Sequence, residues 1–499
     1  MHTETSAMTS TDPAVDRPHQ TTLQQAAAGE IAAPEIRAVF DLQKSAYLNQ
    51  PYPSLAQRRE SLTKLAQWVR NNLEAIQQAA AKDFGCRSAD ETLLTEVMGT
   101  LKSITYSKRH LKRWMRPQRR PVDISFQPAS ARVVPQPLGV VGVVAPWNYP
   151  FGLVLKPLIS ALSAGNRVMI KPSELTPNIS ALLRTMMAEL FNEDEVAVIE
   201  GGPETAKAFI ALPFDHLLFT GGTNIGKLVM AAAAPNLTPL TLELGGKSPV
   251  IIDDRIDMQR AVKSIATGKL LNSGQTCTAP DYVLVPQGRL REFVDTFCAT
   301  AQRMYPDPVN NPDFTSIINS KHYERLQGYL DDAREHAAEI VEVYPGEKSQ
   351  AQTRKLVPTL VVNPPAETSI MQEEIFGPLM VVIPYRDLSD AVAFINARPR
   401  PLALYLFSDS QQTEDYVLKN TTAGGVTIND TLLHYTQESL PFGGVGHSGF
   451  GAYHGDAGFT AFSHYKAVFR QARLNSLDLL RAPYNKTSRW LLKNIIKIS

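Results

Sequence analysis

The rhythm of apolar and polar positions changes near residue 139. Before it, apolar residues recur at helical spacing. Leu62, Leu65, Val69, Leu73 and Ile76 fall on one face of a helix predicted over 54–80, and Ser54 with Gln57 has the spacing of a capping box. A second helix is predicted from about Asp90, with Leu94, Val97, Leu101 and Ile104 on one face, ending near the basic cluster 112–116. From 119 to 137, prolines accompany an alternation of Val122, Ile124 and Phe126, which predicts extended strands. A small βα core would not need them. They form either an oligomerisation arm or a solvent-facing edge hairpin.

From Gly139 onward, short apolar runs alternate with helices. Val140 to Ala145 reads as a buried strand, 152–164 as a helix closed by Gly165, and Arg167 to Ile170 as the next strand. Thr176 then Pro177 is the order of a cap and a first helical residue. Val196 to Ile199, a helix from Pro203 and Leu217 to Thr220 continue the series. Repeated βα order predicts a parallel, doubly wound sheet with right-handed crossovers, which binds ligands at the carboxyl ends of its strands. A second set of such signals fills 249–415, so a domain boundary is expected at Gly245 and Gly246. The expected layout is a polar tail over 1–30, a cofactor domain over 31–245 carrying the arm at 119–137, and a catalytic domain over 246–421. A return segment over 422–470 and a C-terminal tail over 471–499 complete it.

Composition narrows the class. Length alone, at 499 residues, calls for more than one domain. Lys and Arg number 50 against 49 Asp and Glu, so no global basic field exists to hold nucleic acid. The 3 cysteines, Cys86, Cys277 and Cys298, show no CxxC spacing. They predict neither a disulfide framework nor a metal site, and they fit a cytoplasmic location. The N-terminus lacks the apolar run of a secretory signal, and no stretch approaches the roughly 18 apolar residues of a membrane span.

Several segments carry candidate chemistry. Phe219-Thr-Gly-Gly-Thr-Asn-Ile-Gly226 follows a strand and opens a helix, where glycines and free N–H groups suit a phosphate. It departs from the GxGxxG fingerprint at Thr223, and a plain tight turn explains it equally well. Lys171 and Glu174 follow a strand end, where they would grip ribose hydroxyls or simply face solvent. Cys277 lies among Asn, Ser, Gly, Gln and Thr rather than the apolar neighbours of an inert thiol, which favours a nucleophile. Cys86 and Cys298 read as small fillers. Glu243 sits between two leucines, so burial would raise its pKa and make it a base. Asn148 follows a strand and would either aim its amide at an oxyanion or cap a turn.

Together these segments resemble the aldehyde dehydrogenase superfamily. The matching stretches are PWNYP (146–150), KPSE (171–174), FTGGTNIG (219–226), LELGGKSP (242–249), GQTC (274–277), EEIFGP (373–378) and PFGGVGHSG (441–449). They run in the family's order over roughly 35–470. The ending SGFGAYHG with FSHYK is similar to the class-three, fatty-aldehyde-type branch, and the whole chain to its bacterial members that act on coniferyl aldehyde. The resemblance implies a Rossmann-like parallel-sheet cofactor domain, an α/β catalytic domain and a small β oligomerisation arm. It implies Cys277 as nucleophile, Glu243 as base, and Asn148 with the Cys277 main-chain N–H as oxyanion hole. Lys171 and Glu174 would hold the adenine ribose. Gly221, Gly222 and Gly226 would shape the pyrophosphate turn, and Trp147, Glu374 and Phe376 would meet the nicotinamide end. Gly222 stands where many members have Ser, which removes one hydroxyl contact.

The implied function is NAD(P)-dependent oxidation of an aldehyde to its acid through a Cys277 thioester, with coniferyl aldehyde or a related aromatic aldehyde as substrate. The alternatives are a long-chain fatty aldehyde, transfer of the acyl group to coenzyme A, or a non-catalytic scaffold. Tyr149, Tyr435 and Phe442 fall on segments expected to line the aldehyde's path, where they would stack on an aromatic ring, wall an aliphatic channel or pack in the core. Glu174 favours NAD, with NADP also accepted. A homodimer is expected through the arm. At the C-terminus Trp490, Leu491, Ile495 and Ile498 share one helical face beside Arg489, Lys493 and Lys497. That helix is expected to dock on its own subunit or a dimer partner near the tunnel mouth, with weak membrane-surface contact as the alternative.

Overall fold

The structure is a computed structural model that describes residues 29–473 and 475–498; most of the predicted N-terminal tail, and Leu474, lie outside the described residues. Where the description starts, Glu30 is anchored: its carboxylate accepts from Thr205 N at 2.7 Å and Thr205 Oγ1 at 2.6 Å, closing the N-terminus of the helix Pro203–Ile210.

Three sheets organise the chain. The first has six strands in the order Gly449–Phe450, Leu240–Leu244, His216–Gly221, Val140–Val144, Arg167–Lys171 and Val196–Val198. All pair in parallel except the edge strand Gly449–Phe450. Valine-rich runs such as Val140–Val144 are buried on both faces, which explains their unbroken apolar character. The second sheet has seven strands, centred on Pro280–Pro286 and Ser248–Ile252, and is parallel apart from the pairing of Glu339–Glu342 with Thr359–Val362. The chain passes from the first sheet to the second between Leu244 and Ser248, across Gly245 and Gly246. It returns later than expected: the strand Gly425–Ile428 still belongs to the second sheet, and only Gly449–Phe450 rejoins the first. The third sheet pairs Gln118–Arg120, Ser130–Pro137 and Ser463–Arg470, all antiparallel.

Local differences from the sequence reading have identifiable causes. The predicted helix over 54–80 is two helices, Leu55–Asn71 and Leu73–Phe84, broken where Asn72 leaves helical geometry; its capping box at Ser54 is present as read. The next helix contains a π turn, Leu93–Val97, ahead of Met98–Trp114. One extra residue in that turn rotates Leu94 outward, to 53% exposure, while Val97 and Ile104 stay buried. Val122, Ile124 and Phe126 do not form a strand: Ile124–Phe126 is a 3-10 turn between strands, with Ile124 exposed. Thr176 occupies the cap position but its side chain does not cap. Asp83 does so from a neighbouring helix, accepting from Asn178 N and Ile179 N at 2.9 Å each.

The helix Lys486–Ile498 packs on the 3-10 turn Ser476–Leu480, which touches Ile124–Phe126 beside the third sheet. Trp490 and Ile496 remain 64% and 72% exposed. Within the single chain the tail therefore docks on its own subunit through that turn, beside the third sheet. No helix among the described residues is long and apolar enough to cross a membrane.

Candidate active site

In the first sheet the chain moves one way from Val140–Val144 to Arg167–Lys171 and the other way to His216–Gly221. Such a reversal opens a crevice at the strand ends. A cavity of ≈ 230 Å³ lies there, lined by Trp147 and Asn148 after one strand, Thr220, Gly221 and Gly222 at the end of the other, and Glu243, Leu244 and Gly245 at the end of the next. The second sheet's side contributes Cys277, Glu374 and Phe376.

Cys277 is presented by a strained loop. After the helix Met258–Leu270, the residues Asn272, Ser273 and Gly274 all take left-handed backbone conformations, with φ of 51°, 50° and 72°. Two such non-glycine residues in succession are costly and need outside support. Ser273 Oγ donates to Thr315 O, and Gln275 Nε2 donates to Asn272 O at 3.0 Å and Ser316 O at 3.1 Å while its Oε1 accepts from Ile318 N at 2.9 Å. A Cβ on Gly274 would sit 2.2 Å from Gly377 O, so that position admits only glycine. Burial pushes the Cys277 thiol up to about 12, with Glu374 and Glu243 adding to the effect.

Asn148 is fixed from two sides. Its Nδ2 donates to Gln275 O at 3.1 Å, two residues before Cys277, and its second amide hydrogen is available to an oxyanion there. Its carbonyl accepts from Asn272 Nδ2 at 2.9 Å and Arg87 Nη1 at 3.2 Å. Arg87 is paired at 3.2 Å with Glu96, both side chains fully buried, and Glu96 also accepts from Phe151 N and Gly152 N at the start of the helix Gly152–Ala164. Beside them burial raises Glu91 to about 7. Arg87, Glu91, Glu96 and Asn272 escaped the sequence reading, because nothing in their local spacing marks them.

Glu243 is 3% exposed, and neither of its oxygens has a partner among the described residues. Burial holds its carboxyl well above the usual range. Glu374 is also buried and raised to about 8, with the Gly246 N–H working against the shift. Its carboxylate reaches Gly245 so closely that a Cβ there would lie 2.0 Å from Oε2, which ties the LELGGKSP and EEIFGP stretches together physically. Lys247 secures the same junction, donating to Asp281 and to the carbonyls of Ile370 and Glu373 at 2.7 Å each.

The other end of the cavity fits a dinucleotide. The helix Thr223–Ala233 opens at Gly222 with no side-chain cap, so its first N–H groups and positive end are available to a phosphate. A Cβ on Gly222 would meet open space, and buried Thr220 Oγ1 has no partner among the described residues. Gly226 serves differently: a Cβ there would sit 2.7 Å from Leu244, so its role is close helix–strand packing. Trp147 and Phe376 meet edge to face at 5.3 Å. Lys171 lies 3.8 Å from Glu174 at the end of its strand, outside the cavity lining. His322 and Arg325, from the helix Ser320–Glu335, complete the wall and were not foreseen.

Of the three predicted substrate aromatics, Phe442 lines the cavity, together with the unforeseen Leu153 and Tyr453. Tyr435 stands behind it, edge to face with Phe442 at 4.8 Å. Tyr149 is hydrogen-bonded to Thr276 Oγ1 at 2.6 Å, next to Cys277. Cys298 packs against the second sheet's core as expected. Cys86 is not an apolar filler: its sulfur accepts from Lys355 Nζ at 3.2 Å.

Comparison with known proteins gives one consistent result. Residues 3–468 match the family model described as "Aldehyde dehydrogenase family". A Pseudomonas aeruginosa protein named "Probable coniferyl aldehyde dehydrogenase" is 52% identical over 453 residues, covering 91% of this chain and 94% of the relative. A substrate-bound Staphylococcus aureus AldH structure superposes with a TM-score of 0.87 at 38% identity, covering 92% of this chain and 99% of its own. A Mycobacterium tuberculosis aldehyde dehydrogenase complexed with NAD+ superposes at 0.80 with 27% identity, covering 88% and 90%.

Proposed function

The chain belongs to the aldehyde dehydrogenase family, and from that premise we propose that it oxidises coniferyl aldehyde, or a closely related aromatic aldehyde, to the acid through a thioester on Cys277. Aldehyde oxidation with NAD(P) is the family's reaction. The substrate follows the name of the Pseudomonas aeruginosa relative. One observation carries the residue assignment: Cys277, Glu243 and Asn148 open onto a single cavity whose far end is the uncapped N-terminus of Thr223–Ala233.

The chemistry of the side chains follows. A thiol raised by burial reacts only after losing its proton, and Glu243, which faces the cavity without a partner among the described residues, takes it. Sulfur then bonds to the carbonyl carbon. The free amide hydrogen of Asn148 and the main-chain N–H of Cys277 meet the oxyanion, and a donor of this kind lowers the barrier by about 2.7–4 kcal/mol. NAD(P), when bound, supplies the hydride acceptor that turns the sulfur adduct into a thioester. Glu243, once it has released the first proton to solvent, takes a proton from water, the water oxygen bonds to the acyl carbon, the C–S bond breaks, and Glu243 returns that proton to the sulfur to restore the thiol. A carboxylate at its ordinary pKa is a weak base for water, so the apolar burial of Glu243 strengthens it.

Lys171 and Glu174 hold the adenine ribose in this reading, and the carboxylate of Glu174 repels a 2′-phosphate, favouring NAD. Gly221 and Gly222 carry the pyrophosphate, while Trp147, Glu374 and Phe376 hold the nicotinamide end. The enzyme works in the cytoplasm as a homodimer. The test is steady-state oxidation of coniferyl aldehyde, benzaldehyde and a long-chain alkanal with each cofactor, with the acid product analysed. Highest kcat/KM on coniferyl aldehyde with release of free acid is expected. Preference for the alkanal, or a requirement for coenzyme A, would overturn the proposal.

A further inference from the structure

A second group of buried polar side chains takes no part in the chemistry above. Lys156, on the helix Gly152–Ala164, is 3% exposed. Its ammonium faces Glu438 at 3.6 Å, His454 Nε2 at 3.5 Å and the centre of the Tyr435 ring at 3.9 Å. A charge-assisted hydrogen bond is shorter, about 2.7–2.9 Å, so the ammonium is loosely held. Glu438 Oε2 and His454 Nδ1 are buried with no partner among the described residues. Polar groups in this state are costly unless something hydrogen-bonds to them. Burial draws Lys156 down to about 8, against the pull of Glu438.

The position of the pair matters as much as its chemistry. On its outer side, Glu438 also lines an open groove of ≈ 560 Å³ walled by Leu93, Val97, Met98 and Leu101. On its inner side, the Tyr435 ring that carries the ammonium packs on Phe442, which lines the Cys277 cavity. A polar anchor therefore stands between an apolar approach and the nucleophile, one aromatic residue away from the cavity wall.

We infer that Lys156 and Glu438 bind the ring hydroxyl of a 4-hydroxycinnamaldehyde whose carbonyl is held at Cys277. The hydroxyl donates to Glu438 Oε2 and accepts from Lys156 Nζ, while Phe442 and Tyr435, packed edge to face on each other, wall one side of the ring. This rests on the aromatic-aldehyde reading and goes beyond it by naming the substituent that is recognised. A substrate without that hydroxyl leaves both groups under-bonded, and sites built to bond a hydroxyl discriminate more strongly than purely apolar ones.

The experiment compares kcat/KM for 4-hydroxycinnamaldehyde, cinnamaldehyde and octanal in the wild type and in Lys156→Met and Glu438→Gln. The wild type is expected to favour 4-hydroxycinnamaldehyde over cinnamaldehyde at least tenfold, and each variant to bring that ratio towards one, mainly through KM. A wild-type ratio within twofold overturns the inference while leaving aromatic aldehydes as substrates. Variants that slow both cinnamaldehydes by the same factor overturn it as well, since that is the behaviour of a purely structural pair. Oxidation of octanal with no turnover of either cinnamaldehyde removes the underlying reading and this one together. If Lys156→Met fails to fold, the wild-type ratio and Glu438→Gln still decide.

Discussion

At the scale of single residues, burial works against the charged forms of both Cys277 and Glu243. Burial first, and then the carboxylates of Glu374 and Glu243, raise the Cys277 thiol far above the ordinary value of about 8.5, and no cation is among the causes of its shift. Both carboxylates disfavour the thiolate, and neutralising one must lower the thiol pKa. Glu374 is named ahead of Glu243 among those causes. Alkylation of the free protein by iodoacetamide should therefore show a midpoint above pH 9, and Glu374→Gln should move it down. An unchanged midpoint would mean that Glu374 is not felt at the sulfur. The roles divide on substitution. Cys277→Ala should abolish turnover while NAD still binds by calorimetry, and Cys86→Ala and Cys298→Ala should stay within a few-fold of wild-type activity. Glu243→Gln should give a stopped-flow burst of NADH followed by slow turnover, because the amide cannot take the proton from water. An acyl-enzyme that clears at the normal rate would assign the base elsewhere.

At the scale of elements, the loop that presents Cys277 is held by contacts from distant parts of the chain. Three left-handed residues in a row persist because Ser273, Asn272 and Gln275 bond to residues 315–318 and to Asn148. Gly274→Ala adds a Cβ at 2.2 Å from Gly377 O in a backbone conformation alanine avoids. A loss of at least ~2 kcal/mol in urea unfolding is expected, with a larger relative fall in kcat than in KM. A variant as stable and active as wild type would show that the loop relaxes freely. The C-terminal helix is the opposite case, an element with few ties. Its exposed Trp490 and Ile496 lie beside Arg489, Lys493 and Lys497, which is the composition of a surface that meets a partner subunit or anionic lipid. Deleting 484–499 should leave the kcat/KM pattern across aldehyde sizes unchanged, since the helix packs beside the third sheet rather than at the cavity. A change confined to bulky aldehydes would restore the tunnel-mouth reading.

At the scale of the whole molecule, two parallel sheets meet across the cavity and a third, small antiparallel sheet stands apart with an exposed strand Gln118–Arg120 at its edge. An exposed edge of this kind is normally covered. We expect a dimer that covers it. Light scattering at micromolar concentration should then give twice the chain mass of 55.0 kDa, and the monomer mass would count against it.

The sequence by itself determined the features that depend on neighbours along the chain. Unbroken valine runs required strands buried on both faces, and βα alternation required a parallel sheet with its crevice at the strand ends. A cysteine among small polar residues and a glutamate between leucines were recognisable as a candidate nucleophile and a candidate base, and the fold brings both to one cavity. The tertiary structure alone decided what depends on residues far apart. The π turn at Leu93–Val97 arises where the helix meets the rest of the fold, and it turned Leu94 outward against its periodicity. Asp83 took the capping role that Thr176 would have had, because another helix brought a carboxylate within reach. Arg87 and Asn272 hold Asn148 across gaps of 61 and 124 residues, and Lys156 meets Glu438 from the other end of the chain. No local pattern encodes such meetings: a charge in one segment acquires a function only when folding removes the water and supplies its partner.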